Sequence, residues 1–325
     1  MAKNVVICCD GTANEFAVNV TNVLKLHSVL IHSADRQVAF YHPGLGTMEP
    51  AGAVTGFTRE ITKLMGMALG YGLATDIRDA YTFLMKNYEP EDRIYLFGFS
   101  RGAYTVRAVA SLLKMYGLIQ KDNESLVPCA TRLLMGIDRS KTMDERHRLA
   151  VQQYFKPSGG FKAILSRPCK PWFVGVWDTV SSIGWIENPL RLPYISNNPD
   201  IQIGRHAVSI DERRAFFRNH LWRRPHDSNL DYGPKDLKQA WFPGVHCDVG
   251  GGYPEQESGL SKFALGWMIE EAVQAGLEVD RSKVREVLEP VINFIPLESK
   301  EPASAWSSST MEGWATRVRL AIRAT

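Results

Sequence analysis

Residues 93–103 read RIYLFGFSRGA, and this stretch decides the fold. Residues 93–97 are mostly β-branched or aromatic, which predicts a buried strand. Gly98, Ser100 and Gly102 follow at once as a G-x-S-x-G pattern, and a helical pattern continues beyond them. This pattern carries chemical meaning only between a strand and a helix, and that is the context that residues 93–103 provide.

Both glycines have a physical reason in such a turn. The turn is so tight that the residues two before and two after the serine must lack bulk, and the serine hydroxyl is then exposed. The following helix directs its N-terminus at the site, which favours negative charge on a reacting oxygen. The alternative is a strand–helix turn in which Ser100 only caps the helix. Arg101 weakens that alternative, because a purely structural turn does not need a bulky cation there.

Strand and helix patterns alternate along the rest of the chain. Further strands are predicted at 5–9, 37–41, 173–177, 207–210 and 240–245, and further helices at 20–32, 75–88 and 260–275. Alternation of this kind predicts an α/β fold with a mostly parallel central sheet and helices on both faces. We expect one domain over residues 1–325.

Three stretches interrupt the alternation and are candidate cap insertions: 44–72, 118–170 and 185–204. Insertions between sheet strands usually lie over the strand ends and shape an active site. The first is rich in small and flexible apolar residues, which fits either a buried helix or an acyl-chain groove or lid. The second predicts helices near 123–135 and 143–154 and a loop at Pro-Ser-Gly-Gly, 157–160. Residues 289–325 show weak periodicity and predict no element.

A serine hydroxyl is a weak nucleophile at neutral pH, so it needs a histidine base that a carboxylate orients. In serine hydrolases of the α/β-hydrolase class, the acid and then the histidine follow the serine in chain order, each after a later strand. Asp178 and His246 stand at such positions. The sequence therefore predicts a Ser100–Asp178–His246 catalytic triad. Asp248 is the main rival acid, and capping of the next helix is the alternative role for Asp178.

The Asp10-Gly11-Thr12 loop after the first predicted strand invites a different interpretation. Haloacid-dehalogenase-type phosphatases, which use Mg²⁺, carry D-x-D-G-T there, with the first aspartate as nucleophile. Cys8 occupies that position, so the phosphatase interpretation lacks its nucleophile. Binding of an oxyanion is a better role: the Arg101 amide supplies one donor, and Gly11 or Thr12 the second. Asp10, Gly11, Thr12 and Arg101 are thus the predicted oxyanion and substrate-binding residues.

Composition excludes several classes of protein. A net charge of +3 without a Lys/Arg run does not favour a nucleic-acid partner. Five cysteines without C-x-x-C spacing argue against a disulfide framework or a zinc cluster, and we expect no metal or organic cofactor. The apolar stretch near the N-terminus is too short for a signal peptide, and the uncharged segment 64–75 is too short to span a bilayer. We expect a cytoplasmic protein, with signal-less secretion and the oligomeric state left open.

Several segments together resemble one family, the α/β-hydrolase domain of the bacterial type VI secretion phospholipase effectors. The matching segments are DGTAN at 10–14, YHPGLGT at 41–47, DRIYLFGFSRGA at 92–103, WDTV at 177–180, DERR at 211–214, WFPGVHCDVGGGY at 241–253, and 260–268. The resemblance implies a triad on Ser100, Asp178 and His246 and hydrolysis of esters in lipids, phospholipids among them. The expected partners are therefore a lipid or acyl-ester substrate and, transiently, a lipid interface. If residues 44–72 form an acyl-chain groove, we expect medium or long acyl esters to be preferred over acetate esters.

Two departures from the family limit what the resemblance implies. The secreted effectors carry extra segments that engage membrane, whereas this sequence is little more than a catalytic domain. Ala13 replaces the aromatic residue that is usual in the first motif. The triad therefore transfers more firmly than phospholipid as substrate. The alternative function is a catalytically silent α/β-hydrolase scaffold that acts as a binding protein, against which an intact triad and serine turn argue.

Overall fold

Six parallel strands form the central sheet in the described part of the chain. They are β1 (Asn4–Cys9), β2 (Gln37–His42), β3 (Arg93–Phe99), β4 (Pro171–Trp177), β5 (Ile203–Ser209) and β6 (Asp236–Phe242). Their order across the sheet is β2-β1-β3-β4-β5-β6. The structure is a computed structural model that describes residues 2–11, 20–44, 58–135, 156–180, 184–185, 188–189, 192–214, 217, 219–222 and 233–292.

Helices cover both faces of this sheet, as the α/β-hydrolase-like fold requires. They are α1 (Asn22–Ser28), α2 (Thr58–Asn87), α3 (Arg101–Tyr116), α4 (Val127–Met135), α5 (Lys156–Leu165), α6 (His246–Gly250), α7 (Gly259–Gln274) and α8 (Arg281–Ile292). Val5 and Ile7 of β1 belong to the core under α2 and α3, whereas Val6 and Cys8 belong to the core under α1 and α7. Because both faces are buried, the strand reads as a continuous apolar run.

The direction of the chain through the sheet reverses next to β1. From β1 the chain moves outward to β2, and it then returns to the other side of β1 as β3. The helix after β1, α1, covers one face of the sheet, and the helix after β3, α3, covers the other. Ligands of such sheets bind at the carboxyl ends of the strands, next to this change of direction. Ser100 follows β3 at this place, and Asp178 and His246 lie at the same edge because all six strands are parallel.

The predicted strands are all present, but β5 and β6 begin four residues before their predicted starts. The first halves of these strands contain charged residues, so the sequence pattern does not predict them as buried strand. Arg205 of β5 and Lys238 of β6 both pair with Glu271, which projects from α7 onto this part of the sheet. An ion-paired arginine that is 4% exposed is part of the core, although its polarity predicts the surface.

The loop predicted at 157–160 is wrong, because these residues lie in the first two turns of α5. Pro157 is the second residue of that helix, where a backbone amide has no acceptor inside the helix. The absence of an amide proton on proline therefore costs no hydrogen bond. Gly159 and Gly160 have open space where a side chain would be, so neither is required for a turn. Of the two other helices predicted in the second insertion, α4 is present, after a 3₁₀ turn at Glu124–Leu126. The predicted helix at 143–154 lies outside the described residues.

The described parts of the second insertion lie at the far end of α3 from Ser100. The beginning and the end of this insertion lie next to each other, because Leu118–Ile119 pairs antiparallel with Ser166–Arg167. In the third insertion, Ser111 of α3 donates a hydrogen bond of 2.6 Å to the Pro193 carbonyl, so this loop lies along α3. The helix predicted at 75–88 is the second half of α2, and the side chains of 45–71 lie outside the described residues. That the insertions cap the site stays a prediction.

No helix in the described ranges is both long enough and apolar enough to cross a membrane.

Candidate active site

Ser100 lies on a strained turn between β3 and α3. Its φ is +56°, in a region that residues with side chains rarely adopt. A Cβ on Gly98 would collide with the backbone of Gly102, and a Cβ on Gly102 would collide with the carbonyl group of Cys9. The close packing of the turn therefore demands both glycines of the motif. The strained conformation places Ser100 directly before α3, whose first amides have no acceptor inside the helix.

Asp178 and His246 form a buried acid–base pair. The imidazole Nδ1 of His246 lies 2.6 Å from Oδ2 of Asp178, and Asp178 is fully buried. The other carboxylate oxygen, Oδ1, accepts two bonds from Ser209, one from its amide at 2.9 Å and one from its hydroxyl at 2.8 Å. A carboxylate at this distance keeps the proton on Nδ1, so Nε2 is the basic nitrogen of the ring.

Aromatic contacts bring this pair to the serine turn. Phe99, the residue directly before Ser100, contacts the His246 ring with 4.6 Å between ring centroids. A Cβ on Gly250 would collide with the Phe99 ring, so the absence of a side chain at Gly250 makes room for that contact. The ring of Phe217 contacts the imidazole at the same centroid distance, 4.6 Å. The structure thus brings together the neighbourhoods of all three predicted catalytic residues.

The rival acids and bases have other partners. Asp248 accepts a bond of 2.9 Å from the Val245 amide and caps its own helix, α6. Asp211 accepts a bond of 2.7 Å from the Gly244 amide. His206 is fully buried, and burial holds the pKa of its imidazole well below the usual value. These contacts favour Asp178 as the orienting acid and His246 as the base.

Asp10 organises the loop after β1. It is 2% exposed, and its carboxylate accepts bonds from the Gly11 amide at 2.8 Å, from the Tyr41 hydroxyl at 2.9 Å and from the Thr21 hydroxyl. Burial raises the pKa of Asp10, and the three bonds counteract that rise. These contacts do not fit the predicted role of Asp10 in binding substrate, because both oxygens are buried and occupied. They fit a role in shaping the loop.

The same loop passes directly beside the nucleophile turn. A Cβ on Gly11 would lie 2.7 Å from Cβ of Ser100, and Nε of Arg101 donates a 2.7 Å bond to the Gly11 carbonyl. Because the Gly11 amide already bonds Asp10, the geometry does not favour it as an oxyanion donor. The remaining candidates are the amide of Arg101 and that of Thr12, which lies outside the described residues.

Cys8 stands where a haloacid-dehalogenase-type phosphatase has its nucleophilic aspartate. Its side chain is fully buried in the core under α1 and α7. Burial also raises the pKa of the thiol, which holds it in the neutral form. The thiol is therefore neither exposed nor ionised at neutral pH, and this position offers no nucleophile for phosphoryl transfer.

The sequence did not predict four residues that contact the acid–base pair: Phe99, Ser209, Glu212 and Phe217. It also did not predict Arg214, which contacts Glu212 and Phe217. Ser209 is the last residue of β5, so the rule that carboxyl ends of parallel strands meet at one edge could have indicated it. Glu212 and Arg214 lie in the DERR segment, which the sequence comparison singled out without assigning a role. No pattern in the sequence indicates that Phe217 contacts the histidine.

A family model described as the catalytic domain of Tle1-like type VI secretion phospholipase effectors matches residues 3–271. The chain belongs to this family. The match contains Ser100, Asp178 and His246, and it confirms the resemblance found in the sequence. Membership assigns the chain to a family of lipid-ester hydrolases.

Individual relatives of this Tle1-like domain come from a yeast and from bacterial systems. The uncharacterized protein YEL023C of Saccharomyces cerevisiae is 34% identical over 225 residues, and the match covers 66% of this chain and 32% of that protein. A crystal structure of an uncharacterized Pseudomonas aeruginosa protein matches 89% of this chain and 47% of its own, with 20% identity and a TM-score of 0.47. The Tle1 effector bound to the VgrG spike matches 80% of this chain and 53% of its own, with 17% identity and a TM-score of 0.39.

These matches set two limits. The chain spans about a third of the length of the yeast relative and about half of each of the two solved chains. Similar sequences occur in a eukaryote, so membership of the family does not establish the bacterial source that the resemblance implied.

Proposed function

We propose that the chain is a serine hydrolase that cleaves carboxylic ester bonds of lipids, phospholipids among them. One observation carries the proposal: the 2.6 Å contact between His246 and Asp178, beside a serine held at φ +56° before a helix N-terminus. A nucleophile turn and an oriented base together are what acyl transfer requires.

The mechanism follows from the atoms at the site. The Ser100 hydroxyl attacks the ester carbonyl while Nε2 of His246 takes its proton, and the tetrahedral oxyanion lies near the first amides of α3, that of Arg101 included. The imidazolium then gives the proton to the leaving alcohol, and the acyl group remains on Ser100. Water, activated by the same imidazole, attacks the acyl-enzyme and releases the carboxylic acid. Asp178 stays ionised throughout and balances the charge of the imidazolium.

Asp178 is well suited to that role because every bond around it favours the carboxylate. Both donors of Ser209 point at Oδ1, and the ring N–H of His246 points at Oδ2. A carboxylate that accepts several hydrogen bonds is stabilised in its charged form. The three bonds also fix the orientation of this buried carboxylate against the imidazole.

The nucleophile assignment has a built-in control, because a second serine also touches a histidine. Oγ of Ser196 lies 2.6 Å from Nε2 of His220. We expect a fluorophosphonate probe to label the wild-type protein and the Ser196→Ala variant, but not Ser100→Ala. Ester hydrolysis should fall by about 10⁴-fold or more in Ser100→Ala alone.

A panel of ester substrates identifies the substrate class, and probe labelling distinguishes the proposed hydrolase from the alternative assignments. A panel of acetate esters, long-chain glycerides and phospholipids should show turnover that rises with acyl length. Probe labelling lost in Ser196→Ala but kept in Ser100→Ala would move the nucleophile to the second serine. A folded wild-type protein that neither labels nor turns over any ester would identify a silent scaffold that only binds.

A further inference from the structure

The DERR segment has no part in the mechanism above, yet it contacts the base. It follows β5, and two of its acidic residues bind the loop that follows β6. Asp211 exchanges two hydrogen bonds with Gly244, accepting one from its amide at 2.7 Å and donating its own amide to the Gly244 carbonyl at 3.1 Å. Oε2 of Glu212 accepts a bond of 3.3 Å from the backbone amide of His246 itself. The two loops are therefore joined at the residue that carries the base.

Arg214 holds Glu212 in place. Its Nε and Nη2 donate bonds of 2.9 and 2.6 Å to the two carboxylate oxygens, and its backbone amide adds a third at 2.8 Å. The Glu212 side chain is 1% exposed, whereas that of Arg214 is 55% exposed. Hydrogen bonding to Arg214 lowers the pKa of Glu212 to about 2. Glu212 therefore stays charged at any pH at which an imidazole base can work.

A second connection runs through aromatic rings. The guanidinium of Arg214 lies 4.1 Å from the centroid of the Phe217 ring, and that ring contacts the imidazole of His246. The imidazole also contacts Phe99, so two aromatic rings restrict its rotation. Ring electrons attract a cation that lies over them, so the rings also stabilise the imidazolium that forms when the base takes a proton. Arg214 is the residue that links the backbone contact to the ring contact.

We propose that Glu212, Arg214 and Phe217 form a histidine clamp that positions His246 for catalysis. Glu212 fixes the backbone of His246, Phe217 fixes its ring, and Arg214 fixes both of these residues. Glu212 and Arg214 act on the base through the His246 backbone and the Phe217 ring, and Phe217 packs against the imidazole without exchanging a proton with it, so all three are positioning residues. This inference rests on the proposed function, because it assigns His246 as the base.

The kinetic test compares two adjacent arginines. Arg214→Met removes the centre of the clamp, whereas Arg213→Met removes an exposed arginine of the same charge next to it. A misplacement of about 1 Å at a reacting group costs on the order of 100-fold in rate. We therefore expect kcat to fall by about 10- to 100-fold in Arg214→Met with KM little changed, and to stay near wild type in Arg213→Met. Arg214→Lys should recover part of the loss, because it restores the charge but not the two-pronged contact.

A titration of the His246 imidazole by NMR tests the clamp without any activity. The charged and titratable groups around it are Asp178 after β4, Asp211, Glu212 and Arg214 after β5, and Cys247 and Asp248 on α6. Arg214→Met leaves Glu212 without its counter-ion, so the pKa of His246 should rise. Phe217→Leu removes ring electrons from beside the imidazolium, so the pKa should fall. A structural defect alone would not move the two variants in opposite directions.

The outcomes separate this inference from the proposed function. Equal kinetic losses in Arg213→Met and Arg214→Met, or unchanged His246 titration in folded Arg214→Met and Phe217→Leu, would overturn the clamp while leaving the hydrolase intact. Absence of labelling and turnover in the wild type would overturn the hydrolase, and the titration would still decide whether the clamp acts on His246. Melting temperatures and near-UV circular dichroism would establish that each variant is folded.

Discussion

Replacing Asp178 by asparagine tests the acid assignment with almost no change of shape. The asparagine can place its amide oxygen toward Ser209 or toward His246. Ser209 presents two donors, and its backbone N–H cannot become an acceptor, so an NH₂ group facing it would meet donors only. The imidazole can adapt, because its Nδ1 accepts a bond once the proton moves to Nε2. We therefore expect the amide oxygen to face Ser209 and the NH₂ group to face His246.

That orientation inactivates the base. With the proton on Nε2, the imidazole of His246 has no lone pair for the proton of Ser100, and the compensating carboxylate charge is gone. A change of this kind lowers kcat by about 10⁴-fold, which corresponds to about 5.5 kcal/mol of transition-state stabilisation. The fold should survive, since both bonds from Ser209 are kept.

The assay is single-turnover hydrolysis of a chromogenic acyl ester, with Asp211→Asn and Asp248→Asn as controls. Each control residue accepts a bond from one backbone amide, at 2.7 and 2.9 Å, which an asparagine carbonyl can accept equally well. Both controls should retain activity within about tenfold of wild type. Near-normal turnover in Asp178→Asn, or a 10⁴-fold loss in Asp248→Asn, would refute the assignment.

Three further predictions concern the scaffold around the site. Gly102→Ala places a methyl group against the Cys9 carbonyl, so we expect lost probe labelling and a loss of about 1–3 kcal/mol or more in urea denaturation. Arg107→Met leaves the carbonyls of Ile195 and His220 without the donors that this buried guanidinium supplies, which should cost about 1–3 kcal/mol for each carbonyl in the same assay. The folded pKa of Glu212, about 2, lies below its ordinary value near 4.5, so stabilisation by Arg214 is complete above pH 4.5 and disappears as pH falls through 2. The difference in melting temperature between wild type and Arg214→Met should therefore be largest near neutral pH and vanish toward pH 2.

The sequence predicts the parts of the site that depend on neighbours along the chain. The turn at Ser100 is local: strand, glycines and helix occur within residues 93–116, and their chemistry leaves few alternatives. Asp178 and His246 were predictable from chain order and from their places after strands. Chain order does not determine which carboxylate contacts the imidazole of His246. Asp178 is 68 residues from His246 along the chain, whereas Asp248 is only two residues from it.

Contacts that depend on packing were not predictable. Arg205 reads as a surface residue until α7 places Glu271 against it. Phe217 and Glu212 reach His246 only because β5 and β6 are neighbours in the sheet, which no local pattern states. The helix at α5 was missed because glycine and proline favour loops in isolation, whereas contact with α3 stabilises the helix here.

The place of β1 in the sheet has a consequence for the order of events on the ribosome. This strand is made before the other five strands of the sheet, yet the side chain of Asn4 donates a bond of 2.8 Å to the Gly276 carbonyl, 272 residues later. Thr21, which bonds Asp10, also forms a backbone bridge with Gly251, directly after the helix that carries His246. Contacts between such distant parts of a chain form late in folding. We expect Ser100 to leave the ribosome long before His246, which follows 146 residues later, so the candidate triad can assemble only after the loop beyond β6 has been synthesised.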